Sequence, residues 1–328
     1  MIKKIEVSHK TIFFVLAVLF LLWFAYLISD IILLFYVGFL LMLALGPGVN
    51  KLEDLRVPRI LAVLLNYLAF LGLLVLAIFL LAGPVVQQGG LLLQQIIKLA
   101  ETAGAGDWLS TTVQDPFKNI LPFSGNIFRI TQTIFGNLVQ VFSVLVISFY
   151  LILDRKKLPG RLEQFFGKKR SRKVEVIISR AEREVGRWLW GQLLLMLIIA
   201  ILTYLVLLIL RFPYALPLAF LAGLLEVLPN IGPVLAAIPA VIIGFTISPL
   251  MAVLVALAFF FIQQLQNSLI VPKIMQGMVG INPIITLLGL LIGFRLAGVV
   301  GAVFALPTIL IVKVIIEETV LPRIKSIT

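Results

Sequence analysis

The chain contains no cysteine and a single histidine, His9. The first absence excludes disulfides, thiolate nucleophiles and thiolate metal sites. The second leaves no histidine cluster for a metal and no histidine for a catalytic triad. Charge is also scarce, at 13% of 328 residues against 61% hydrophobic. A soluble domain carries roughly a quarter charged residues, so this composition belongs to an integral membrane protein. No Walker A loop is present, which argues against ATP-driven transport by this chain alone. Clustered carboxylates and a nucleophile–base pair are missing as well, so an enzyme is not expected, and neither is a cofactor or a metal. The formal net charge of +12 is better explained by Lys/Arg bias in the loops that orient membrane helices than by nucleic-acid binding.

The chain is instead rich in long apolar runs. Residues 1–83 are expected to form three membrane helices, the first two (11–29 and 31–45) joined by a tight turn at Ser29-Asp30. The third, Ile60–Ala82, has 23 residues, about 34 Å of helix against a hydrocarbon core of roughly 30 Å. Gly83-Pro84 should end it and open an amphipathic insert, 84–133, on the extracytoplasmic side. Residues 134–153 form a fourth span. The segment 154–187 carries twelve Lys/Arg against five Asp/Glu and is read as a cytoplasmic amphipathic helix. Its run Lys168, Lys169, Arg170, Arg172 and Lys173 is either a topology determinant or a contact for anionic lipid headgroups. Trp188 and Trp190 would anchor the next span at the interface. By this pattern both chain ends are cytoplasmic.

Residues 188–328 differ from the first half. After a fifth span the apolar runs become short and interrupted. Pro229, Gly232, Pro233 and Pro239 cannot all continue one helix, because proline removes a donor and clashes with the preceding turn. Helix breaks at membrane depth persist only where protein or a wet cavity satisfies the backbone. We read 213–248 as a broken-helix hairpin, 250–270 as one crossing, and 281–311 as a second hairpin, shaped by Pro272, Pro283, Gly298, Gly301 and Pro307. A faint repeat supports this, since Pro217, Gly223 and Gly232 align with Pro283, Gly289 and Gly298 at one offset of 66 residues. One crossing between the hairpins gives them opposite orientations, the inverted repeat of many alternating-access transporters. The fold class is thus an all-α polytopic membrane protein of about eight passes with two oppositely oriented hairpins.

Glu226, at the tip of the first hairpin, is the leading candidate for chemistry. An ionised side chain at that depth costs from about 2.5 to over 10 kcal/mol and needs a partner or a proton. It is a proton or cation site or a gate charge; alternatively it caps the hairpin or pairs statically with an arginine. Arg295 is the candidate partner, or else it snorkels outward. Gln263, Gln266 and Asn267 share a helical face by spacing and suit either a polyhydroxylated solute or broken backbone. Asn230 and Asn282 stand beside breaks, where amides cap helices. No metal site is read here.

Leu225–Pro239 resembles one signature of the autoinducer-2 exporter (AI-2E) family. Gln266–Met275, Gly280-Ile-Asn-Pro283 and Gly298–Pro307 resemble the other. The resemblance implies an inner-membrane permease, homo-oligomeric, with members assigned to signal export in quorum sensing and others to sodium/proton antiport. The partners it implies are the bilayer and a small polar solute or H+/Na+. Many relatives carry an acid where this chain has Gln266, which leaves no carboxylate there for coupling. A non-transporting oligomeric scaffold is the alternative from a different class.

Overall fold

The computed structural model describes residues 29–102, 138–229, 231–275 and 282–319, with parts of 13–28. Among these the structure is helical, and six helices are long and apolar enough to cross a membrane. Two shorter apolar helices, Ala215–Leu225 and Gly232–Ile247, accompany them. The chain is an all-α polytopic membrane protein. It divides into two compact units, residues 1–63 with 135–155, and residues 64–134 with 156–328.

The first unit packs α1 (Ser29–Asp54) against α3 (Leu138–Asp154). Gly38 permits the approach, because a Cβ there would fall 2.7 Å from the Ile147 side chain. Arg59 ties the unit together: Nη1 donates to Glu53 Oε2 at 2.7 Å and Nη2 to the Ile152 carbonyl at 2.5 Å. The reversal expected at Ser29-Asp30 is not there. Ile28 N donates to Phe24 O at 3.1 Å and Ile32 N to Ile28 O at 3.0 Å, so helical bonding runs across it. One polar pair in an apolar run does not break a helix whose backbone bonds all close internally.

The second unit carries the interrupted helices. Most of α2 (Arg59–Thr102, 44 residues) belongs to it, and α2 passes through Gly83 and Pro84 instead of ending there. Proline costs one helical bond, and membrane helices tolerate it where neighbours satisfy the freed carbonyl. The rest of the expected insert, 103–133, lies outside the described residues, as do both chain ends. After the short α4 (Leu158–Phe166), Gly167 at φ 72° turns the chain into α5, Lys168–Ile209. Its 42 residues make about 63 Å of uninterrupted helix. The basic amphipathic segment and the fifth span are therefore one rod. Trp188 is buried inside the protein at 9% exposure while Trp190 is exposed, so Trp188 packs on a neighbour and does not face a membrane interface. The stripe that includes Ala181 and Val185 turns inward with Trp188, because one apolar face at helical spacing is enough to dock on a neighbour.

The first hairpin is α6 (Ala215–Leu225) and α7 (Gly232–Ile247), joined by Glu226–Ile231. Arms of 11 and 16 residues reach about 16 and 24 Å, short of the roughly 30 Å core. Pro233 sits in the first turn of α7, where its missing donor costs nothing, whereas Pro239 lies inside α7 without ending it. A Cβ at Gly223 would meet Ala200 Cβ at 2.7 Å and Met196 O at 2.8 Å, which fixes α6 tightly on α5. The core of this unit joins Ile199 and Leu207 of α5, Leu218 and Ala222 of α6, Ala236 and Ile243 of α7, and Val255 of α8.

The crossing between the hairpins is α8 (Pro249–Leu265), a π-helical segment (Gln266–Ile270) and α9 (Val271–Ile274). The second hairpin is α10, Pro283–Thr319, kinked at Ala297 and Gly298. Gly298 adopts φ 59°, ψ −145°, a region open essentially to glycine alone. Gly293 and Gly301 bring the two arms of α10 into backbone contact. Pro307 lies inside the outer arm.

Candidate functional site

The two hairpins enter from opposite ends of α5. Tyr214, at the start of α6, donates its hydroxyl to Gln95 Oε1 at 3.0 Å, and Gln95 Nε2 donates to Thr246 Oγ1, near the end of α7, at 3.1 Å. One side chain of α2 thus clasps both feet of the first hairpin. Arg211 and Tyr214 hold positive φ values of 49° and 59° in the tight link that enters it, a strained conformation for residues with a Cβ. The second hairpin ends at the other, basic end of α5. There Arg180 donates to Glu318 at 2.6 Å, to Glu317 at 2.5 Å and to Glu184 at 3.2 Å.

Between these ends, the tip of the first hairpin reaches the second. Leu228 and Ile231 pack against Leu290, Ala302 and Ala305 of α10. The tip's backbone is satisfied locally, by Val227 N to Leu224 O, Leu228 N to Leu225 O and Gly232 N to Leu228 O. Glu226 is therefore not needed as a cap for these donors. Its residue is 1% exposed, and its carboxyl Oε1 accepts from Gln266 Nε2 at 2.5 Å. Its backbone carbonyl accepts from Gln192 Nε2, on α5, at 2.6 Å. Oε2 of Glu226 and Oε1 of Gln266 are buried and have no hydrogen-bond partner. Glu226 makes no ion pair among the described residues.

The structure brings Glu226 and Gln266 together and leaves Arg295 elsewhere. Arg295 is exposed two residues before the Ala297–Gly298 kink. The amide face expected from spacing is also dispersed. Gln266 is buried, Gln263 is half-buried and Asn267 is exposed. A π-helical stretch begins at Gln266, and its wider turn shifts the register only of the residues that follow it. Pro272, without a donor, lies beyond it in α9. Asn282 is exposed, and its Oδ1 accepts from Ile284 N at 2.9 Å, a local cap on α10. Asn230 lies outside the described residues, and Pro229 stands in the connecting turn.

Several partners were not singled out from sequence. Gln192 had a visible signal, a lone amide inside the apolar run after Trp190. Gln95, Thr246, Arg180, Glu184, Glu317 and Glu318 had none. Except for Arg180–Glu184, their pairings join residues more than a hundred positions distant in the chain.

A family model described as "AI-2E family transporter" matches residues 12–321. YueF of Bacillus subtilis (strain 168), whose name marks it as a candidate transport protein, is 27% identical over 291 residues, covering 82% of this chain and 78% of that protein. The AI-2 transport protein TqsA of Escherichia coli (strain K12) is 25% identical over 307 residues, covering 89% of this chain and 87% of TqsA. A match of that extent, on a helical chain with two broken hairpins, settles the affiliation: this chain belongs to the AI-2E transporter family and is a multi-pass membrane transporter, not an enzyme.

Proposed function

We propose that the chain is a secondary transporter that exports a small polar solute such as the quorum-sensing signal autoinducer-2. It works by alternating access, with the hairpins moving on α5 and α8 and Glu226 as the coupling or gating group. The observation that carries this is Glu226 itself, a carboxyl buried at the tip of a broken helix with one oxygen unpartnered. Interrupted helices facing each other near mid-membrane are where secondary transporters bind substrate and ions. The solute class is supported by the name of TqsA. The same buried acid also supports a second reading, sodium/proton antiport.

In this reading the basic end of α5 faces the cytoplasm of an inner membrane, following the positive-inside rule. Lys168, Lys169, Arg170, Arg172 and Lys173 are all exposed there and contact anionic headgroups. Arg295, exposed near the turn of the second hairpin, meets the solute or the membrane interface without touching Glu226. The test is flux in sealed proteoliposomes. Export of autoinducer-2 by the wild type, lost in Glu226→Gln and retained without a sodium gradient, supports the first reading. Sodium-driven proton movement that needs Glu226 supports the second. Wild-type vesicles that move neither overturn both and leave the scaffold reading.

A further inference from the structure

We propose that Glu226 and Gln266 form a proton-binding pair, with one proton on Glu226 Oε2 donated to Gln266 Oε1 and closing an acid–amide ring. It deepens the transport reading and rests on it for its place in the cycle, although the pair itself is testable without any flux.

The argument starts from the unpartnered atoms. A carboxylate offers only acceptors, and a carboxamide offers one acceptor and two N–H donors. Gln266 Nε2 already donates to Glu226 Oε1 at 2.5 Å. That contact leaves one oxygen on each group, both buried and both without a donor. Leaving buried acceptors unsatisfied costs about 1–3 kcal/mol each. A single proton satisfies both at once, because it turns Oε2 into a donor beside Gln266 Oε1. No side-chain donor of another residue reaches these oxygens among the described residues.

The surroundings favour a proton over a metal ion. Two side-chain oxygens are far fewer than the six or more oxygen ligands that hard cations such as calcium take. The remaining polar contact, Gln192 Nε2, presents a donor to the Glu226 carbonyl. The charged side chains on the elements packed on the tip, Arg295, Lys313, Glu317 and Glu318 of α10 and Lys273 of α9, make no ion pair with Glu226. Leu290, Ala302 and Ala305 of α10 face Leu228 and Ile231, and α6 and α7 carry no other ionisable side chain. On α5 the charged residues closest in sequence to Gln192 are Arg187 and Glu184, more than a turn toward the basic end.

The pair also explains why an amide stands at Gln266. A second carboxylate would place two negative charges on one buried contact, whereas an amide accepts the proton's hydrogen bond and returns one. Because Glu226 belongs to the first hairpin and Gln266 to the π-helical segment after α8, the proton joins two separate elements. Gaining it from water adds a second hydrogen bond between them, and losing it leaves the one from Gln266 Nε2 to the carboxylate.

Infrared difference spectroscopy of the full chain in lipid reads this directly. The wild type should show the C=O stretch of a protonated carboxylic acid at neutral pH. Glu226→Gln should delete that band while keeping the unfolding temperature of the wild type, since an amide N–H replaces the acid's O–H. Gln266→Met should move the band to higher wavenumber, because the acid's C=O loses its donor, and Gln192→Met should leave its position unchanged. A wild type without a band that Glu226→Gln removes, or a band unmoved in Gln266→Met, overturns the proposal. Loss of flux in Glu226→Gln with such a silent spectrum would sustain the transport reading and refute the pair. The expected spectra in a chain that moves no solute would do the reverse.

Discussion

The two hairpins share a backbone plan and differ in almost everything chemical. The first has six residues between its arms and a carboxyl at its tip; the second reverses at Ala297 and Gly298. In the first, Gly232 is pressed against the carbonyl of Leu225, so the position forbids volume. In the second, Gly298 has open space around it but a φ of 59°, so the position forbids a conformation. At the repeat position of Glu226 stands Ile292, which is 58% exposed. The repeat therefore keeps a broken-helix plan in both copies, while the buried carboxyl stands in one.

The glycines give the largest expected effect and break the comparison most sharply. Gly232→Ala should cost more than about 3 kcal/mol, beyond ordinary overpacking, because backbone atoms would have to yield. It should leave no monodisperse protein on size exclusion. Gly298→Ala should cost about 1–3 kcal/mol, the strain of a glycine-only conformation, and should remain folded with a lowered unfolding temperature. Equal losses would mean that the tips are alike after all.

Moving the acid tests the chemical asymmetry. In the Glu226→Ile background, Ile292→Glu should not restore flux. It should also destabilise the protein, since a charge on an outward-facing membrane helix costs about 2.5–3.5 kcal/mol on insertion scales. Recovery of transport would show that either tip can hold the group.

The attachments at the hairpin ends give the next effects. Arg180→Ala removes three charge-assisted contacts around Glu184, Glu317 and Glu318. We expect a loss of about 1.5–3 kcal/mol, measured by denaturant unfolding in detergent, and smaller at high salt because the cluster is partly exposed. Gln95→Leu should cost least, about 1 kcal/mol for neutral hydrogen bonds, and should expose the feet of the first hairpin to hydrogen exchange. Reversal of that order would make the first hairpin the more firmly held.

The hairpins and the buried acid were legible in sequence because proline and glycine act locally. Pro229, Gly232 and Pro233 disrupt a helix whatever surrounds them, and a lone Glu226 in apolar sequence is conspicuous. The continuity of α2 through Pro84 was not legible, since a helix tolerates proline when neighbours satisfy its freed carbonyl. The unequal burial of Gln263, Gln266 and Asn267 was not legible either. Residue spacing gives a shared face and not what packs against each member of it. The exchange of Arg295 for Gln266 as the partner of Glu226 is a tertiary fact, decided by which elements pack around the tip and by no local pattern.

The continuity of α5 has a mechanical consequence. Arg180 holds the outer end of the second hairpin, and Gln192 holds the carbonyl of Glu226. Twelve residues separate them, about 18 Å of helix axis, and the helix contains no proline at which to bend. A pull on the carboxyl-terminal arm is thus delivered to the base of the acid by a stiff lever, with no flexible joint to absorb it.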